Sequence, residues 1–494
     1  TSVSSASTFS GPSIDKILTL RSADLMRGIS IKESLRRGGR LWRKSPIDLP
    51  EKEKAGLWSR SRQVDHFDIF LSHTWATRGS WKYLSLSFQQ GWAYVLLLWL
   101  LVLVMVELLC CLRLAPVLGT VSFGVQNFDA KCPFSGLGIL VAMPVSVLTF
   151  FVVPYIPDVG DKKQSCFLDV VSINQCDAKM MQQGIYGLGG FLSASKEMRI
   201  LYSGRYLSRL WCVFELAAFR TANPTGRIRF APLFVELGVA VLWLGGTLAI
   251  LLYIVGFLTK FRGTVLLVVA LLPLLGVFHL LRQNLSRKRQ VFLALANFEL
   301  SNASCRFASD QEFIYSAIQK WYGSLDAFTA HVRGPLRDEL LKDHLGTSLP
   351  WYYGVLITTP WISLGMDALA ALVAGDAPTD AILAYGLAMT LGLFTFWWLF
   401  TMLFLLLLCH RCPSAERSLC SVAQSLILFL LYLLVALSGV YAARRAANHS
   451  VGASFIWCVA AGLLVWLCGG GLQRWQALFH GKGVVRSPEV PRTS

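Results

Sequence analysis

The sequence predicts an α/β domain built on a mostly parallel sheet, joined to a polytopic α-helical membrane region of about eight spans. Two observations predict it. Eight long apolar runs carry no Lys or Arg, and the polar stretches between the first of them alternate short strand-like apolar runs with helical periodicity. A hydrophobic content of 54% over 494 residues is too high for one water-soluble globule, and those runs account for the excess.

The runs are 92–112, 135–156, 230–258, 263–281, 351–374, 381–408, 423–441 and 453–470. Each reaches the roughly 20 residues that a helix rising ~1.5 Å per residue needs to cross a hydrocarbon core of ~30 Å. The third and sixth are long enough to tilt, and Gly469, Gly470 and Gly471 cut the last one short. Basic residues near spans stay on the cytoplasmic side. With the N-terminus inside, only Arg113, Lys131, Lys260, Arg262, Arg444 and Arg445 of the 46 Lys and Arg fall outside, so both termini are expected in the cytosol. Asn448-His449-Ser450 fits a glycosylation acceptor in the last outer loop, with two arginines beside it. The chain opens on Thr1, which leaves open whether residues precede it.

The net charge of +17 sits mainly on the cytosolic parts, where it suits anionic lipid headgroups and gives no pattern for nucleic acid. Its densest patch is 36–44, and Trp42 within it is expected at headgroup level. The 12 cysteines form no disulfide framework. Cys409, His410, Cys412 and Cys420 have a zinc-like spacing, but at a span end they read as membrane-edge thiols open to acylation, and no metal site is assigned.

Taken in order, residues 1–64 are Ser-rich and then basic and read as largely disordered, with a short helix near 13–27. Residues 65–91 hold a strand at 67–72 and a first helix at 81–90, and 92–156 form a membrane hairpin. Within 157–229 lie strands at 166–171 and 198–202 and helices at 182–195 and 207–220, the second with Leu210, Val213, Phe214 and Ala217 on one face. A second hairpin covers 230–281. Residues 282–349 hold a strand at 296–305 and a helix opened by Ser309 with Glu312 three residues on. A four-span bundle at 350–472 and a tail at 473–494 follow. None of the three polar pieces is long enough to bury a core alone, so they are expected to assemble into one domain.

Three segments carry a family resemblance. Phe67-Asp68-Ile69-Phe70-Leu71-Ser72-His73 resembles the first-strand box of Toll/interleukin-receptor (TIR) domains, and Phe167-Leu168-Asp169 resembles their second strand. Ser203-Gly204-Arg205-Tyr206-Leu207-Ser208-Arg209-Leu210-Trp211-Cys212-Val213-Phe214-Glu215-Leu216 resembles the Ser…Tyr…Ser-x-Trp-Cys-x-x-Glu-Leu segment of plant-type TIR domains. The resemblance implies a TIR-like, flavodoxin-like sheet across about 65–229 without the hairpin, with 298–333 completing it. In being split by membrane hairpins the chain is similar to TIR-like proteins of algae and protists. It departs from the pattern between Asp169 and Gly184, a poor match to the usual loop there.

The resemblance implies a membrane-anchored signalling or scaffolding protein, with membrane lipids, TIR–TIR self-association or other signalling proteins as partners. It also implies an alternative, because some TIR domains cleave NAD between nicotinamide and ribose with a Glu four residues after the Trp, the spacing of Trp211 and Glu215. No cofactor is implied outright; NAD enters as the substrate of this alternative. Glu215 is then the candidate catalytic residue, since a carboxylate stabilises an oxocarbenium-like state. Ser72, His73, Asp169 and Trp211 are the candidate nucleotide-binding residues, near the strand ends where open α/β sheets bind ligands. Plainer roles stand beside these: Trp211 as a core residue, Glu215 either as a solvated helix carboxylate or as one paired with Arg209 or Arg220, His73 as a turn residue. A third class, a transporter or channel, rests on Glu107 and Asp367, acidic residues inside apolar runs.

Overall fold

The computed structural model describes residues 23–157, 164–259, 263–341, 350–412 and 418–467. The tail at 473–494 and residues 13–22 of the expected helix at 13–27 lie outside them. The chain divides into two compact units. One draws on residues up to Leu98, Ser146–Val241 and Gln283–Tyr352; the other on Trp99–Val145, Leu242–Arg282 and residues from Tyr353 on.

The first unit holds a four-stranded, all-parallel sheet made of β1 (Phe67–Ser72), β2 (Cys166–Phe167), β3 (Ser195–Tyr202) and β4 (Arg227–Pro232), in the order β2-β1-β3-β4. Phe70 pairs with Phe167 on one side and Met198 on the other, and Ile200 of β3 pairs with Phe230 of β4. Parallel strands are buried on both faces and so read as continuous apolar runs. Phe70 packs into one core with Phe167, Met198 and the apolar face of helix α2 (Leu210–Ala222), while Ile69 and Leu71 pack into another with Leu168 and Val171. Phe70 and Phe167 stack with centroids 4.5 Å apart.

Three expectations are corrected. The second strand is only two residues long, because Asp169–Ser172 turns into a helical segment. No strand forms at 296–305: the preceding helix runs to Ala296, a 3-10 turn covers Leu300–Asn302, and Ser304 makes a single bridge to Arg209. Asn297, Ser301, Asn302 and Ser304 are turn formers, and Phe298, Leu300 and Ala303 enter the core from an irregular chain. The sheet is completed by β4, which starts on the exposed Arg227 and becomes buried from Phe230 on. The expected helix at 309 begins at Ala308 as α3 (Ala308–Tyr322), without a side-chain cap.

Residues 23–64, expected to be largely disordered, are folded in the structure. Arg27–Gly28 pairs antiparallel with Arg62–Gln63, and Ile29 bridges to Cys166 at the sheet edge. Helix α1 (Ile31–Arg43), capped where Ser30 accepts the Glu33 N–H, buries Ile31, Leu35, Leu41 and Trp42 in the core that holds Ile69 and Leu71. The helix bends where Arg37, Gly38 and Gly39 take positive φ; a Cβ on Gly39 would also collide with the Tyr83 ring. Trp42, expected at headgroup level, is instead 1% exposed.

Among the described residues, five helices are long and apolar enough to cross a membrane: Gly79–Cys111, Leu137–Tyr155, Leu233–Leu258, Trp351–Ala374 and Leu419–His449. The other expected runs fall in Gly263–Ala296, in the helical stretch 379–411 and in Val451–Val465. In the second unit, Gly119–Val125 and Phe128–Phe134 form an antiparallel hairpin between two apolar helices.

Candidate functional site

Strand β1 ends at Ser72, and helix α2 starts at Leu210 behind a tight turn, Tyr206 accepting the Arg209 N–H on its backbone carbonyl. This places three polar groups together. Ser72 donates its hydroxyl to the Glu215 carboxylate oxygen Oε2 at 2.5 Å, and the Tyr206 phenol lies 2.5 Å from the same hydroxyl. Burial pushes the Glu215 acid up from 4.5 to about 8; the Ser72 hydrogen bond opposes this and the nearby Asp169 charge adds to it. At neutral pH Glu215 therefore rests mainly as the neutral acid.

Beside it, at the ends of β1 and β2, Asp169 accepts the Trp75 indole N–H at 2.6 Å and the Val170 N–H at 2.7 Å. Burial raises its acid above the usual range, against the pull of these donors and of Lys82. Lys82 is fully buried, donates to the Thr74 carbonyl at 3.1 Å, and sits 4.4 Å from the Trp75 ring centroid and 5.6 Å from that of Trp42. His73 packs edge-on between Trp42, at 5.2 Å, and Trp75, at 4.8 Å. Its Nε2 is 3.9 Å from Asp169 Oδ1 and has no hydrogen-bond partner among the described residues. Burial, and then the Lys82 charge, hold His73 well below its ordinary value, so it is neutral.

Of the residues singled out in the sequence, Ser72 and Glu215 meet directly, and His73 and Asp169 lie beside them. Trp211 does not join them. Its indole donates to Asp310 of α3 at 3.1 Å and its ring packs on Phe214 and Phe313. The spacing of Trp211 and Glu215 thus leaves the two side chains with separate partners. Glu215 is not paired with Arg209 or Arg220; Arg220 binds Glu339.

Tyr206, Lys82, Trp75 and Trp42 complete the cluster without having been assigned to a site from the sequence. Tyr206 lies inside the TIR-like segment 203–216, and Trp75 in the polar turn after β1, two residues past His73; both positions are signals in the sequence. Trp42 reaches the cluster from α1, whose residues gave no signal. Gly79 lets it do so, because a Cβ there would collide with the Trp42 carbonyl.

Chemically the cluster offers a neutral acid, a carboxylate about one-third exposed at Asp169, a neutral imidazole and one buried ammonium. Among the described residues no group of three or more His, Cys, Asp or Glu is placed to hold a metal ion. No protein-family model matches the chain, and neither the curated proteins nor the solved structures yield a match.

Proposed function

We propose that the chain is a membrane-anchored signalling or scaffolding protein of the TIR-like kind, acting through protein–protein interaction of an α/β domain on the cytosolic side. One observation carries the reading. The strand ends, where open α/β sheets take ligands, are occupied by the chain's own side chains: Glu215 is engaged by Ser72, and Trp42 packs on His73. A domain closed in this way acts through its outer surface. The five long apolar helices support a multi-pass membrane protein; the eight apolar runs of the sequence carry the reading of eight spans, and the bias of Lys and Arg that of cytosolic termini and contact with anionic lipid. Stepwise photobleaching of labelled chains in lipid vesicles tests the self-association arm, and mass spectrometry after crosslinking in the native membrane tests other partners. Single chains at every density, with no crosslinked protein, would sink the proposal.

A second reading, cleavage of NAD, is favoured by the acid of Glu215 lying at about 8 beside a hydroxyl at a strand end. In it Glu215 acts at the ribose carbon while Asp169 and Ser72 hold the nucleotide. Nicotinamide release by the purified chain tests it.

A further inference from the structure

The second unit contains two acidic side chains that its apolar surroundings should not tolerate. Glu107 is 6% and Asp367 2% exposed. Asp367 accepts two backbone donors, the N–H of Gly138 at 2.9 Å and of Ile139 at 3.1 Å. These suit an anion. Both oxygens of Glu107 are buried and meet no N–H or O–H donor among the described residues, and the Asp367 carboxyl lies within hydrogen-bonding reach. The two groups close on Gly138, where an added Cβ would collide with the Glu107 carboxyl oxygen and press tightly on that of Asp367. A pair of carboxyls in an apolar site does not ionise twice. One of them holds a proton, and the distribution of donors decides which.

We propose that Glu107 and Asp367 form a proton-binding site: Glu107 carries the proton as a carboxylic acid and donates it to the Asp367 carboxylate, and loses it to water as the site empties. A water-sized route is at hand. A cavity of about 120 Å³ is lined by Cys110, Ser135, Ala370 and Ala371, among others. Cys110 follows Glu107 by three residues, and Ala370 and Ala371 follow Asp367 by three and four, so the cavity wall stands one helical turn from each carboxyl. The volume has room for several waters. Cys110 Sγ and Ser135 Oγ, 2.8 Å apart, put polar atoms on that wall. The titratable groups facing the pair are the thiols of Cys110 and Cys111, and Arg113 on the cavity wall is engaged by Asp376. Two carboxyls are too few ligands for a divalent ion, which takes six or more oxygens if calcium or magnesium. A single proton matches the chemistry.

The test is infrared difference spectroscopy of the full chain in lipid vesicles at neutral pH, in light and heavy water. The expected result is a carboxylic-acid carbonyl band that shifts in heavy water and is lost in Glu107→Gln. Because Glu215 contributes an acid band of its own, the band is read as the difference between wild type and the Glu107 variant. Asp367→Asn should keep the band and move its frequency. Hydrophobic carbodiimide, which modifies protonated buried carboxyls, gives a readout on the unaltered protein should a variant fail to fold. Peptide mass spectrometry should find the adduct on Glu107, declining as pH rises. Absence of both the band and the adduct overturns the proposal. So does loss of the band when sodium or potassium is added at constant pH, which would assign the site to an alkali cation.

Discussion

Ser72 and Glu215 stand 143 residues apart in the chain, yet the serine hydroxyl lies 2.5 Å from the glutamate carboxyl. The contact joins the last residue of β1 to the middle of α2. It puts an acid of raised affinity for protons at the strand end, with the Tyr206 phenol on the other side of the same hydroxyl. Two consequences follow, one for stability and one for chemistry.

The stability consequence is a pH dependence with a definite sign. Between the ordinary glutamate value of 4.5 and about 8 the folded chain keeps a proton that the unfolded chain has lost. Stability therefore falls as pH rises through this window and stays level beyond it. Glu215→Gln removes the titration and keeps the shape. Thermal melts of the detergent-solubilised chain should show the variant gaining on wild type between mildly acid and mildly alkaline pH. His73 gives the opposite slope below 6.5 in both proteins and cancels in the comparison. A constant offset at every pH would contradict an ionisable Glu215 in this setting.

Much of the α/β core was legible in the residues. Phe67–Ser72 reads as a strand because five of its six side chains are buried, and four of those, Phe67, Ile69, Phe70 and Leu71, are large apolar residues. Leu210, Val213, Phe214 and Ala217 mark the buried face of α2 for the same reason. Strand β4 was hidden because Phe230, Ala231 and Pro232 run straight into the apolar Leu233–Leu258 helix, and composition gives no boundary there. The pairing of Trp211 with Glu215 failed for a geometric reason. A spacing of four puts two side chains on neighbouring turns, but partners on other elements decide where each side chain points, and Asp310 and Phe313 on α3 engaged the indole. The place of Trp42 was illegible because a basic, glycine-containing arm looks solvated when only four of its apolar residues are buried.

Trp42 supplies the next prediction. Its ring stands against His73 and beside the Lys82 ammonium, so Trp42→Ala opens a buried site and costs about 3–5 kcal/mol, the usual range for a buried aromatic. With the indole gone, water reaches His73 and its protonation should move back toward 6.5. A histidine titration by nuclear magnetic resonance, or the rate of histidine acylation at mildly acid pH, reads this directly. Trp42→Phe should keep most of the stability and most of the histidine shift. An unmoved His73 in the alanine variant would show that Trp42 does not cover it.

The proposed topology places Cys176 and Cys305 on one side of the membrane. Cys176 is exposed and Cys305 partly exposed. In sealed, oriented vesicles an impermeant maleimide should label both from the cytosolic side and neither from the other, as followed by peptide mass spectrometry. Labelling of the two from opposite sides would break the eight-span arrangement, since both segments lie between outward-facing hairpins in it.

The chemical consequence concerns NAD. If the chain cleaves it, the residue the reaction cannot lose is Glu215, because a developing positive charge on the ribose needs a carboxyl beside it and Glu215 is the acid that Ser72 orients. Glu215→Ala is a poor test, as it strips the buried Ser72 hydroxyl of its carboxyl acceptor and costs ~1–3 kcal/mol for an orphaned buried group. Glu215→Gln keeps an acceptor for Ser72 and removes only the charge. It should cut nicotinamide release by about 10²–10³, the loss typical of one transition-state contact. The rate of wild type should rise with pH toward about 8 as the acid ionises into the form that can stabilise a cation. Nicotinamide is measured for both proteins in vesicles at matched density, with Trp211→Phe as a control that the geometry places outside the site. Equal release from wild type and Glu215→Gln would place the chemistry elsewhere, and no release from wild type at any density would leave the assembly reading alone.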